Sequence, residues 1–290
     1  MNLNDYKGIL VYAEQRDGVL QNVGLELLGK ATELAYEINK QIALKDAGDE
    51  LADFAGKKEA AIKSVDIAAA TLEEDDQELK DKVADVKKNN PDAAKVTALL
   101  IGHNVQALAQ DLIKAGADKV LVVDKPELEV YDTEAYAQVL TAAINNQKPE
   151  IVLFGATTLG RDLAPRVSSR IATGLTADCT KLELLKDKER QLGMTRPAFG
   201  GNLMATIVSP DHRPQMATVR PGVMKKLPKS DDRTGEVLEF PVTLDTSKMK
   251  VKLLKVVKEG ANLSLLIAII NSDSSIPATC WIAPEIPHAK

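Results

Sequence analysis

The chain has 290 residues, 44% hydrophobic and 27% charged, with a formal net charge of −5, the balance of a soluble globular protein long enough to bury a core. The acidic surplus gives no electrostatic reason to bind nucleic acid or an acidic membrane, and 3% aromatics leave little for base-stacking platforms. The two cysteines, Cys179 and Cys280, lie far apart without CxxC spacing, which argues against a disulfide framework or zinc site and for a reducing cytoplasm.

The N-terminal MNLNDYKG has neither the basic nor the apolar region of a signal peptide. Residues 8–13 (GILVYA) read as a buried strand and Asp17-Gly18 as a turn. Residues 23–38 read as a helix that turns Leu27, Leu28, Ala31, Leu34 and Ala35 inward. Residues 45–95 form a charged block in which Leu79, Val83 and Val86 recur at helical spacing. Its Glu73-Glu74-Asp75-Asp76 run is read as a solvated helix start in preference to a metal site, and Asn89-Asn90-Pro91 stops it.

Strands are then expected at 96–101, 119–123 and 151–154, with helices at 105–115 and 133–145 between them. Alternation of this kind, with short loops, predicts a parallel sheet covered by helices on both faces. After residues 151–154 comes GATTLGRDLAPRVSSRIATG: a small-residue loop, then a helix with Leu163, Val167 and Ile171 on one stripe. Arg161, Arg166 and Arg170 lie on its other faces, and Gly174 breaks it. Beyond Cys179 the segments 181–185, 192–197, 202–209 and 215–220 are shorter, β-rich and punctuated by Gly and Pro, and are expected to extend the same sheet in antiparallel fashion. Residues 227–251 read as an arm with a β-rich segment at 236–244. The longest apolar run, residues 263–270 (LSLLIAII), is too short to span a bilayer. The expected fold class is α/β, a mostly parallel nucleotide-binding-like sheet with helices on both faces and an antiparallel extension.

No GxGxxG, Walker loop, HExxH or nucleophile elbow is present. His103, His212 and His288 are scattered in turns and the tail, where surface roles are favoured over a general base. Cys179 has no basic neighbour in sequence, so a structural role is favoured over a reactive thiol. No residue is assigned as acid, base, nucleophile or metal ligand. Arg196, Arg213 and Arg220 each adjoin proline, in rigid segments that suit planar or anionic partners.

Four stretches carry a resemblance: YKGILVYAEQ from Tyr6, GATTLGRDLAPRVSSRIATGLTADCT from Gly155, TRPAFGGN from Thr195 and RPQMATVRPG from Arg213. In this order, over roughly residues 5–44 and 96–257, they resemble the N-terminal domain of electron-transfer flavoprotein alpha subunits. The resemblance implies electron transfer through FAD in a heterodimer with a beta subunit, served by dehydrogenases such as acyl-CoA dehydrogenase in fatty acid β-oxidation. It also implies that the surface around residues 160–170, Arg196 and Arg220 meets the beta subunit, with Arg196 and Arg220 as cofactor-binding residues at that junction; a structural salt bridge there is the alternative. Residues 45–95 fall outside the resemblance and are read as a helical insertion making few contacts to the core. Residues 1–257 are thus expected to be one domain, and residues 258–290 an aberrant or remnant tail where the family's C-terminal FAD domain would stand. Two rival readings remain: an adenine-nucleotide-binding α/β module using the loop after Phe154, and a flavin-free scaffold subunit.

Overall fold

Ile9–Ala13 (β1) is buried along its whole length, and alternate residues join different cores. Ile9, Val11 and Ala13 point into one cluster and Leu10 and Tyr12 into another, as a strand covered on both faces requires. The computed structural model describes residues 5–46, 69–185 and 190–249. Seven parallel strands form its main sheet, in the order β12-β5-β4-β1-β6-β11-β7. They are β1, β4 (Val96–Gly102), β5 (Lys119–Asp124), β6 (Ile151–Gly155), β7 (Leu175–Cys179), β11 (Gln215–Val219) and β12 (Glu236–Glu239). A small hairpin, β2 (Gln15–Arg16) and β3 (Val19–Leu20), turns at Asp17-Gly18 as expected.

Helices α1 (Asn22–Asp46) and α3 (Ala109–Lys114) cover one face; α4 (Thr133–Gln147) and α5 (Thr158–Arg170) cover the other. The five inward residues expected of the first helix are all buried on the first face, each large one contributing about 1.5–3 kcal/mol. On the second face Leu163 and Val167 are fully buried and Ile171 packs partly against them, so the apolar stripe of α5 is realised. The α/β class, the parallel sheet with helices on both faces and the presence of antiparallel strands agree with the sequence reading.

Two details differ. The antiparallel strands β8 (Lys181–Leu184), β9 (Leu192–Ala198) and β10 (Leu203–Ile207) make a sheet of their own, ordered β10-β9-β8. Gln215–Val219 does not belong to it: it returns to the main sheet and pairs in parallel between β6 and β7. All five of its residues, polar ones included, are buried because the polar partners are internal. Gln215 Oε1 accepts from Gln191 Nε2 at 2.7 Å and Leu192 N at 2.9 Å, and Thr218 Oγ1 accepts from Asp178 N at 2.8 Å.

The second difference concerns the charged block. Its described part, α2 (Ala69–Asn89), is helical as expected, but it packs. Val83 and Val86 form a buried cluster with Ala43 and Ala93 against the end of α1. Asn39 of α1 grips the segment leading into β4, donating to Ala94 O at 3.0 Å and accepting from Ala94 N at 2.7 Å. That cover explains why α1 runs eight residues past its expected end at 38. From β11 the chain crosses α1 to reach the far edge of the sheet. A Cβ on Gly29 would overlap the Lys225 carbonyl oxygen, so this crossing needs glycine there. Residues 47–68, the side chains of residues 73–76 and the expected tail at 258–290, with Cys280, His288 and the apolar run, lie outside the described residues. No described helix is long and apolar enough to cross a membrane.

Candidate functional site

In open parallel sheets the loops at the carboxyl ends of the strands meet in a crevice where the strand order reverses. Here β1 is followed by β4 and β5 on one side, and the chain then returns to place β6 on the other. The reversal lies between β1 and β6. Glu14 and Arg16 leave β1 there, and Thr157 and Thr158 open α5 after β6. Thr157 caps α5 by accepting from Gly160 N at 3.1 Å. Its hydroxyl donates to Glu14 Oε2 at 2.5 Å. Arg16 donates to Glu14 Oε1 through Nε at 3.0 Å and Nη2 at 2.9 Å, and reaches Thr158 Oγ1 at 3.3 Å. The Glu14 side chain is 1% exposed. The helix can approach this closely because a Cβ on Gly160 would lie inside the contact radius of the Gly155 carbonyl oxygen.

Two strands further along the same edge, a second cluster surrounds Asp178. This residue lies next to the end of β7, at a register shift, with φ of 62°. Arg220, just after β11, donates to it through Nε at 3.2 Å and Nη2 at 2.6 Å, and Arg161 of α5 reaches it at 3.4 Å. The Arg220 hydrogen bonds hold the Asp178 carboxyl below its ordinary range; burial opposes this, and the charges of Arg220, Arg161 and Arg196 add to the lowering. Arg196, from β9, is half-buried and near enough to bias Asp178 and the Cys179 thiol. It forms no ion pair among the described residues. Cys179 is fully buried, and burial pushes its thiol to about 11, in keeping with a structural role.

The structure therefore brings Arg196, Arg220 and Arg161 to one place. Arg213 is elsewhere, buried against Glu150, and Arg166 and Arg170 both pair with Glu134 of α4 at 3.0 and 2.8 Å. Among the described residues no group of acidic, His or Cys side chains is placed to hold a metal. Glu14 and Asp178 were not singled out from sequence. The signal for Glu14 was its place as the first charged residue after a buried strand; nothing local marks Asp178, whose partner is 42 residues away.

Because the folded carboxyl of Asp178 is depressed, its contribution to stability is fully present above the ordinary carboxylate range and is lost as pH falls from there through the lower folded value. The pair is partly exposed, so about 1 kcal/mol or less is at stake. Asp178→Asn is expected to melt slightly below the native chain at pH 7, with the gap narrowing as acid protonates Asp178 in the folded chain. A gap that does not change as the pH is lowered would show that the charge is not the cause.

Beside this edge the β9–β10 hairpin presents Phe199, Leu203 and Met204, 81%, 58% and 58% exposed, with Ile207 and Val208 next to them. Leu203 and Met204 lie on opposite faces of β10, and large apolar side chains left this exposed on one short hairpin suit an interaction surface.

The profile of the family described as electron transfer flavoprotein domain matches residues 68–245, a span that takes in α2. The chain is 43% identical to the electron transfer flavoprotein subunit alpha of Thermoanaerobacterium thermosaccharolyticum over 90% of this chain and 62% of that protein. It is 41% identical to the alpha subunit of Clostridium acetobutylicum over 91% of this chain and 63% of that protein. With subunit LctC of the NAD(+),ferredoxin lactate dehydrogenase of Acetobacterium woodii the identity is 34%, over 90% of this chain and 49% of the relative. The chain thus spans less than two thirds of the length of these relatives.

Proposed function

The chain belongs to the electron transfer flavoprotein family, a family of flavoproteins, and from that premise we propose that it acts as an alpha-type subunit passing electrons through FAD in a heterodimer with a beta subunit. The observation that carries the reading is the exposed apolar hairpin standing beside the arginine cluster. A docking face of that kind, with charged groups at its rim, suits an obligate partner. The residues present fit a flavin nearby. Arg196 keeps its donors for a planar or anionic group, whereas Arg220 is held in place by Asp178. FAD, when bound in the complex, supplies the electron chemistry; this chain orients the flavin's surroundings and excludes water at the junction. Dehydrogenases, acyl-CoA dehydrogenase among them, are the proposed electron donors. A buried, unpaired Cys179 supports a reducing cytoplasm as the compartment.

Co-expression with a beta subunit tests this. The two chains are expected to co-purify with bound flavin, and the double variant Phe199→Ser, Leu203→Ser to lose the partner while keeping its own melting temperature. Arg220→Ala is expected to weaken retention of flavin or partner by about tenfold or more, the scale of a bidentate contact. Failure of the native chains to associate would overturn the proposal. An Arg220→Ala chain that pairs and holds flavin like the native one would remove Arg220 from the site.

The internal closure of the crevice by Glu14 favours one second reading, in which this chain is a flavin-free scaffold and all flavin is held elsewhere. Flavin spectra of the chain alone and of the complex separate the two.

A further inference from the structure

The crevice between β1 and β6 has the layout with which parallel sheets bind phosphate groups: a strand, a short loop and the capped N-terminus of a thirteen-residue helix. Its anionic position is already taken. Glu14 lies 1% exposed against the first turn of α5, accepting from Thr157 Oγ1 and, at 3.0 and 2.9 Å, from Nε and Nη2 of Arg16. Arg16 in turn bridges to the hydroxyl of Thr158 at 3.3 Å. A carboxylate buried this completely needs polar partners, and here they are of the kind a bound phosphate would use: the hydroxyl that caps a helix and an arginine.

We propose that Glu14 is a built-in anion that closes the phosphate place of this fold and makes the domain refuse nucleotides and other phosphate compounds. The closure has a mechanical side as well. Glu14 sits at the root of the β2–β3 hairpin, so its contacts with Arg16 and Thr157 tie that hairpin to α5. Gly160 sets the distance: without a Cβ, α5 seats against Gly155, and Thr157 comes within reach of the carboxylate. Thr157 then serves both roles at once, cap of α5 through Gly160 N and donor to Glu14. Removing the carboxylate leaves Arg16 and the Thr157 hydroxyl, at the cap of α5, facing a vacated anionic position. The inference concerns this chain's own crevice and stands whether or not a beta subunit is its partner.

Isothermal titration of the full-length chain with inorganic phosphate and with AMP, at matched ionic strength, tests it. The native chain is expected to show no saturable binding of either. Glu14→Ala is expected to bind phosphate saturably, at least about tenfold more tightly than any residual binding by the native chain. Glu14→Gln preserves shape and most hydrogen bonds while removing the charge, and covers the case in which the alanine variant does not fold. It too is expected to gain phosphate binding, because Arg16 is no longer neutralised. A gain for phosphate in either folded variant supports the proposal whether or not AMP follows. Saturable binding of AMP or phosphate by the native chain would overturn it, as would folded variants that bind no better than the native chain.

Discussion

Gly160→Ala is expected to destabilise the chain by about 3 kcal/mol or more, the upper range for overpacking a site that cannot relax. Most small-to-large changes are softened when the tip of a flexible side chain moves aside. Here the added carbon would meet the carbonyl oxygen of Gly155, and neither backbone can move independently. That oxygen belongs to β6, buried along its length between β1 and β11. The new atom belongs to α5, whose Leu163, Ala164 and Val167 are fully buried against the sheet. To make room, α5 must rise from the sheet and forfeit part of that packing. At 2–4 °C per kcal/mol for a domain of this size, the melting temperature should fall by roughly 6–12 °C. Gly174→Ala is the control: nothing lies within 4 Å of its Cβ position, and its φ is not positive. It should be neutral or stabilise by up to about 1 kcal/mol through the unfolded state. Equal melting temperatures for the two variants would show that α5 does not seat on Gly155 as described.

A second large effect is expected at Glu150, at the root of the antiparallel sheet. Its carboxylate is 4% exposed and stands between Arg190, at 2.8 Å, and Arg213, at 3.7 Å. Arg213 in turn donates through Nη1 to the carbonyls of Ser209 and His212, both at 3.0 Å, which pins the loop leading from β10 back into the main sheet. Burial lowers the pKa of Arg213; Glu150 opposes that shift and Arg190 adds to it. Glu150→Gln keeps the volume but leaves two arginines facing each other without a counter-charge. Breaking a buried pair in this way costs about 3–5 kcal/mol. The unfolding midpoint should therefore drop on the order of 10 °C. Adding Arg190→Met should restore a substantial part of the loss, since one uncompensated charge is then gone. If Glu150→Gln melts within about a degree of the native chain, the charge network does not hold the two sheets together.

Much of this architecture was legible before any coordinates. The period of two in residues 9–13, the period of 3.6 in α1 and α5, and the alternation of strands with helices all follow from local pattern, because a strand or helix buries whichever side chains its own geometry aligns. The arginines that reach the carboxyl edge, Arg161, Arg196 and Arg220, were likewise visible, since rigid Pro-flanked segments and a helix start are sequence features. The family resemblance rested on the same stretches: GATTLGRD ends β6 and forms its loop and the start of α5, and RPQMATVRPG builds β11 and Arg220.

Where each piece goes was decided by contacts between distant residues. Gln215–Val219 has the composition of a half-exposed strand, and only internal partners for Gln215 and Thr218 let it lie in mid-sheet. The packing of α2 depends on Ala43 and Ala93, which carry no local mark of being buried. Glu14 finds Thr157 across 143 residues, and a side chain's charge state and neighbours at that separation are not encoded in its local pattern. By itself, then, the sequence determined the elements, their apolar faces and the family, because hydrophobic periodicity and backbone propensity act over a few residues. Only the tertiary structure decided the strand order, the separation of the antiparallel sheet and the closing of the crevice by Glu14. Those outcomes depend on which buried polar groups can satisfy one another in three dimensions.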